Sequence, residues 1–150
     1  MDTGLEPPAP APPTPLPAHG APRWFGQLRA SGLVDADASL RRLDGNLVLY
    51  RSVLDHAAMF LTTWSRSFRA ACADGNRAQA MRLSHDLKGI AATIGATTLA
   101  DDAMAYDNQL RHGLPAGDGP PLDRVELALR PVLVLLADVL RGGAGAPTLV

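Results

Sequence analysis

Apolar residues recur in alternating steps of three and four along much of this 150-residue chain. The longest such series consists of Leu47, Tyr50, Leu54, Ala57, Leu61, Trp64 and Phe68. Because an α-helix turns by about 100° per residue, this spacing places all of these side chains on one face. The series predicts a long amphipathic helix whose apolar face, including its two aromatic rings at Trp64 and Phe68, packs in a core rather than around a ligand.

Residues that favour helix ends bracket this series and recur after it. Asn46 is a predicted N-cap, and the Asp-Gly pair at residues 74–75 predicts the end of the first long helix. A second helix is predicted over residues 76–95. Thr98 with Asp101 resembles a capping box, so we expect a third helix to open there.

A fourth helix is predicted after the Gly/Pro-rich loop at residues 114–121, because apolar residues again follow the three-four spacing over residues 122–139. Pro131 lies inside this helix. An interior proline costs ~3 kcal/mol, so we expect a kink or a break near Arg130. Four amphipathic helices with short connections predict an all-α fold, an antiparallel up-down four-helix bundle.

Two short helices are expected before this bundle. Trp24, Phe25 and Leu28 supply the first apolar cluster, which predicts a short helix covering one end of the bundle. A second short helix is predicted over residues 36–43, with Asp35 as its cap.

The remaining segments have the composition of tails. Residues 1–22 contain eight prolines, and such a segment cannot sustain helical hydrogen bonds, so we expect a disordered tail or linker. The Gly/Ala-rich residues 142–150 are predicted to be a flexible tail. Residues 23–141 are therefore the predicted folded domain.

Composition and charge argue against several classes of function. The net charge of −1 gives no general attraction to nucleic acid. No apolar run reaches the ~18 residues expected of a membrane span, and residues 1–6 show no secretory signal. The single cysteine, Cys72, allows no intrachain disulfide and fits a reducing compartment, so we expect a cytoplasmic location.

The second long helix carries the candidate functional residue, His85. Its apolar face is predicted to consist of Ala80, Ser84, Leu87, Ala91 and Ile94. His85, Lys88 and Gly89 lie together on the opposite, solvent-exposed face.

A histidine is largely neutral near pH 7, so one ring nitrogen is free to act as a nucleophile. Lys88 can stabilise negative charge on the attached group, and Gly89 lets a partner's backbone approach. This layout suits a phosphoryl group held on histidine.

The other histidines, His19, His56 and His112, lack such neighbours and are expected to be ordinary surface residues. We expect no metal site, because no second His, Cys or carboxylate stands at ligand spacing with His85, and Asp86 points away from its face.

These residues resemble the signature of histidine-containing phosphotransfer (HPt) domains. That pattern is roughly H-x-L-K-G-x-A, then G-A-x-x-L, then A-x-x-L-E. It is matched by His85, Lys88, Gly89, Gly95, Ala96, Leu99, Ala103 and Asp107. The resemblance covers residues 33–112 and continues more weakly to residue 141. Four positions depart from the pattern: Tyr106 replaces a usual Leu, Asp107 a Glu, Ile90 a small residue and Asp86 a neutral polar residue.

The resemblance implies a carrier without kinase activity of its own. His85 would accept a phosphoryl group from the aspartate of a response-regulator receiver domain, within a free regulator or a hybrid sensor kinase, and return it to another receiver. The attacking atom would be Nε2, and Lys88 would compensate charge. The chain itself would need no cofactor, because Mg²⁺ would sit on the receiver. Gly89 would form the docking face of a monomer together with Met81, Arg82 and Ala92.

Two alternatives stay open. The run SHDLK at residues 84–88 also resembles the phosphoacceptor box of dimeric sensor histidine kinases, where an acidic residue after the histidine assists autophosphorylation. That family usually has Thr-Pro where this chain has Gly89 and Ile90, and we expect no ATP-binding domain in the following residues. The other alternative is a structural helical module in which His85 is inert.

Overall fold

A computed structural model describes residue 4 and residues 20–143 of the chain. This part of the chain contains six α-helices and no β-strand, which confirms the predicted all-α class. The helices are α1 (Arg23–Ser31), α2 (Ala36–Arg42), α3 (Leu47–Ala73), α4 (Arg77–Ile94), α5 (Thr97–Arg111) and α6 (Pro120–Gly143). The predicted tails, residues 1–22 and 142–150, lie almost wholly outside the described residues.

The predicted apolar faces of α3 and α4 form part of one buried core. In α3 all the predicted positions after Leu47 are buried, and Leu47 is partly buried. In α4 the buried positions include all five predicted ones, Ala80, Ser84, Leu87, Ala91 and Ile94. Burial of this face anchors α4 and leaves its opposite face in solvent.

Each of the four longer helices packs against two of the others. Both α3 and α5 contact α4 and α6, while α1 packs on α6 and α2 contacts α3 and α4. The rings of Trp24 and Phe25 meet the ring of Tyr50 edge to face, with centroids 5.9 and 6.3 Å apart, so α1 lies beside the first turn of α3. None of the helices in residues 20–143 is long and apolar enough to cross a membrane.

The predicted caps Asp35 and Asn46 are confirmed, Asn76 at the predicted start of the second helix is also an N-cap, and one predicted capping box is wrong. The side chains of Asp35, Asn46 and Asn76 each accept a hydrogen bond from the backbone N–H three residues later. In contrast, α5 begins at Thr97 and, within the described residues, no side chain caps it. The reason is that Ala96, fully buried, already closes α4 through a backbone bond to Ala91, so the chain enters α5 before it reaches Thr98.

Of the kink or break predicted near Arg130, the break is wrong, because a single helix runs through Pro131. Pro131 is exposed, whereas Leu129 and Val132 on either side of it are buried. Apolar contacts on both sides of the proline therefore hold the helix together despite the missing backbone hydrogen bond.

The C-terminal end of α4 is fixed from two directions. Gly95 adopts a left-handed conformation with φ of +86°, and its carbonyl accepts a 2.8 Å hydrogen bond from the N–H of Asp35. The hydroxyl of Tyr50 donates to the carbonyl of Ile94 at 3.0 Å. Burial raises the pKa of Tyr50 to about 12, which keeps this hydroxyl a donor. The end of the helix that carries His85 is thus tied to α3 and to the segment before α2.

Replacing Gly95 by Ala should destabilise the protein by about 2–4 kcal/mol, because left-handed backbone is unfavourable for residues with a Cβ and the site is closely packed. The added Cβ would lie 2.5 Å from Ser39 Oγ and 2.7 Å from the carbonyl oxygen of Asp35. Urea denaturation measures the loss. The matched control is Gly89→Ala in the same helix, where the added methyl meets open space and stability should hold or rise by up to ~1 kcal/mol. Equal effects at the two glycines would contradict this account.

Candidate functional site

The structure presents His85 on the solvent face of α4, as predicted. His85 and Gly89 are exposed, and the Lys88 side chain is 30% exposed. Ser84 and Leu87, the neighbours of His85 on the inward side, are buried at 1% exposure. The helix is therefore anchored beneath His85, and the imidazole itself supports nothing in the core.

A second cation, Arg111, reaches His85 from the last residue of α5. Its Nη2 lies 3.3 Å from Nδ1 of the imidazole. A guanidinium group has only donors, so Nδ1 must accept this hydrogen bond with its lone pair. The neutral ring then carries its proton on Nε2. Arg111 is a site residue that the sequence interpretation missed.

Asp107 connects this cation to Lys88. The carboxylate is almost fully buried, at 1% exposure, between α4 and α5. Its Oδ2 lies 3.4 Å from Lys88 Nζ and 3.2 Å from Arg111 Nε, so both cations share one oxygen. The two positive charges meet one negative charge, which leaves a net charge of +1 beside His85. Such a surplus favours an anionic group on the imidazole.

The rest of the predicted docking face follows the exposed side of α4. Arg82 and Ala92 are exposed and Met81 is half-buried. Arg82 donates to Gln79 Oε1 at 2.9 Å, so its guanidinium is held on α4 itself. At Gly89 an added Cβ would have no described atom within 4 Å, which makes this part of the surface flat and open. The predicted residues therefore lie along one helix face together with His85.

The other described histidines differ from His85 in what their Nδ1 contacts. Nδ1 of His56 lies 2.9 Å from the carbonyl oxygen of Ser52, and Nδ1 of His112 lies 2.7 Å from that of Asn108. Because carbonyls only accept hydrogen bonds, Nδ1 is the donor in both. His19 lies outside the described residues. Within residues 20–143 no group of three or more His, Cys, Asp or Glu side chains is placed to hold a metal ion.

Comparison with protein-family models matches residues 32–141 to the Hpt domain, which confirms the resemblance found in the sequence. The match covers most of the chain, including His85, Asp107 and Arg111. No curated protein and no solved structure matches the chain.

The shared carboxylate predicts a non-additive response to loss of its cations. Lys88→Met or Arg111→Leu alone leaves Asp107 one partner, so each should lower the free energy of unfolding by only ~1 kcal/mol or less. The double variant leaves a buried carboxylate without compensation and should lose ~3 kcal/mol or more. Urea denaturation at pH 7 measures all three variants. In an Asp107→Asn background the same substitutions should be nearly neutral, and simple additivity in the native background would contradict the shared-anchor geometry.

Proposed function

Because the chain belongs to the histidine-containing phosphotransfer (HPt) domain family, whose members act in phosphorelays, we propose that His85 is its phosphoacceptor. In this proposal His85 accepts a phosphoryl group from the aspartyl phosphate of one receiver domain and passes it to an aspartate of another. The observation that carries the proposal is an exposed imidazole beside two cations held on one buried carboxylate.

The chemistry requires little from this chain beyond position and charge. The phosphorus–oxygen bond to the receiver's aspartate breaks, and a phosphorus–nitrogen bond forms to Nε2, the ring nitrogen farthest from the backbone. Phosphoryl transfer of this kind depends mainly on alignment and charge neutralisation. Lys88 offsets charge on the phosphoryl oxygens. We assign the Mg²⁺ to the receiver's carboxylates and no cofactor to this chain.

The receiver would dock on the α4 face that contains Gly89, together with Met81, Arg82 and Ala92. Gly89 has no side chain, so a partner's backbone can come close to the reacting nitrogen. Beside it, an apolar groove between α3 and α4 is lined by Ile90, Thr93, Leu49, Val53, His56 and neighbouring residues. Apolar surface of this kind next to a charged site suits a protein partner.

We also propose the finer architecture and setting of the domain. Residues 23–141 form an antiparallel up-down four-helix bundle with two short N-terminal helices, acting as a cytoplasmic monomer. Support for the antiparallel order comes from α3 and α4, which are joined by only three residues. Tyr50 near the start of α3 bonds to Ile94 at the end of α4, and Trp64 bonds to the carbonyl of Leu83 at 2.9 Å.

The alternative is the phosphoacceptor segment of a sensor histidine kinase. Asp86, exposed on α4, is the residue on which that alternative depends. In such a kinase an acidic neighbour takes the imidazole proton during attack on ATP, a contribution of roughly 10²–10⁴-fold in rate. A kinase segment would also be a stable dimer, which size-exclusion chromatography detects.

His85→Gln should abolish labelling by phosphorylated receiver domains while helicity and stability stay within ~0.5 kcal/mol of wild type, because His85 supports nothing in the core. The assay incubates the chain with receivers carrying radiolabelled aspartyl phosphate and measures acid-labile, base-stable label.

The matched controls are His56→Gln and His112→Gln, exposed histidines that should label like wild type. Labelling retained by His85→Gln would overturn the site assignment. ATP alone should leave wild type unlabelled, and self-labelling with ATP that Asp86→Asn abolishes would favour the kinase alternative.

Gly89→Gln should slow transfer from a receiver about tenfold, equal to ~1.4 kcal/mol, because the new side chain occupies the point of closest approach. Stability should hold or rise, since Gln favours helix more than Gly. Stopped-flow or quenched-flow transfer rates measure the effect. Ala137→Gln, an exposed substitution on α6, is the control and should transfer at the wild-type rate. A wild-type rate for Gly89→Gln would exclude the docking face described above.

A further inference from the structure

The hydrogen bond between Arg111 and His85 fixes where the imidazole proton lies. Nη2 of Arg111 donates to Nδ1, so the neutral ring holds its proton on Nε2. Attack through Nε2 needs the opposite arrangement, with the lone pair on Nε2 and the proton on Nδ1. Arg111 must therefore release Nδ1 before His85 can accept a phosphoryl group.

Once the phosphoryl group is on Nε2, the same contact becomes favourable again. The phosphorylated ring first carries a proton on Nδ1 and hence a positive charge. Loss of that proton to solvent leaves a neutral ring with a lone pair on Nδ1, which matches the donor on Arg111. Return of the proton makes the ring a better leaving group, and the phosphorus–nitrogen bond then breaks more easily in transfer to water or to a carboxylate.

We propose that Arg111 prolongs the life of the phosphohistidine by binding Nδ1 and opposing its protonation, and that Asp107 is the residue that positions Arg111 for this. The inference rests on the proposed function of His85. Arg111 acts as a positioning residue at the ring nitrogen that does not react, and Lys88 compensates the phosphoryl charge.

The anchoring of Arg111 explains why the cation stays at Nδ1. Nε of Arg111 lies 3.2 Å from Asp107 Oδ2. Because this carboxylate is buried, it holds one side of the guanidinium in place while Nη2 contacts His85. Lys88 Nζ is held on the same oxygen and contacts the carboxylate rather than Nδ1. Asp107 thus binds both cations, and Arg111 is the one that reaches Nδ1 of His85.

The other described charged groups on the helices around His85 are not hydrogen-bonded to its ring. On α4 these are Arg82, which bonds to Gln79, and Asp86, which is exposed. From α3, His56 is the titratable residue that lines the adjoining groove, together with Ile90 and Thr93 of α4. Among the described residues Arg111 is the charged group that hydrogen-bonds to the His85 ring.

The test measures the decay of the phosphorylated chain as a function of pH. Wild type, Arg111→Leu, Arg111→Lys and Asp107→Asn are phosphorylated with phosphoramidate, freed of the donor and followed by phosphorus NMR between pH 5 and pH 9. Near neutral pH, Arg111→Leu should lose its phosphoryl group roughly three- to tenfold faster, because a like charge close to Nδ1 opposes protonation. The difference should vanish toward the acid end of the range, as the ring becomes protonated in every variant. It should persist toward the alkaline end, because decay there follows the small protonated fraction, which depends on the proton affinity of Nδ1.

Arg111→Lys should recover part of the lifetime, and Asp107→Asn should shorten it in the same direction as Arg111→Leu. The matched control, Arg130→Leu, removes an exposed cation on α6, a helix that does not pack against α4, and should decay like wild type. A lifetime unchanged in Arg111→Leu, or an acceleration equal at every pH, would overturn the inference and leave the proposed function intact. Absence of any label on His85 in wild type, from phosphoramidate and from phosphorylated receivers alike, would overturn the proposed function itself.

Discussion

The arrangement of charges around His85 depends on one buried carboxylate. Asp107 lies between α4 and α5 at 1% exposure, and a lone charge there would be strongly unfavourable. Lys88 from α4 and Arg111 from α5 compensate this charge. The same two ion pairs therefore join the two helices and place the two cations on the side of α4 that carries His85. The departure from the family's usual Glu shortens this anchor by one methylene group.

Gly89 within α4 and Gly95 at its C-cap serve different purposes. Gly95 is required by conformation and space, because its φ is positive and Ser39 and Asp35 crowd the position of a Cβ. Gly89 has helical backbone and open surroundings, so nothing in the fold requires it. In the proposed docking, Gly89 leaves room for the backbone of a partner. Gly95 is buried and maintains the fold, whereas Gly89 is exposed and suits the proposed docking.

Local patterns in the sequence were sufficient to predict most helices and the placement of His85. The three-four spacing in α3 and α4 identified the buried faces, and side chains such as Asn46 and Asn76 marked helix starts. Predictions from local rules were wrong where tertiary contacts outweighed them. Thr98 lost its capping role to the backbone closure at Ala96, and packing on both sides of Pro131 kept α6 continuous. The wider arrangement of the helices and the role of His85 stay predictions.

Arg111 was missed for a related reason. Its four-residue spacing from Asp107 was visible as a possible ion pair within α5, but the sequence gives no register between α5 and α4. Only the packed helices bring the guanidinium to Nδ1 of His85. That contact has a consequence for the proposed role of His85, because the neutral imidazole holds its proton on Nε2, the nitrogen that would attack. In the proposed role, acceptance then needs a proton shift as well as an encounter, and the phosphorylated ring must lose its Nδ1 proton before Arg111 can hold it. A carrier of the proposed kind gains from this arrangement, since Arg111 would oppose reaction of the empty histidine and, once the Nδ1 proton has left, would oppose loss of the phosphoryl group between partners.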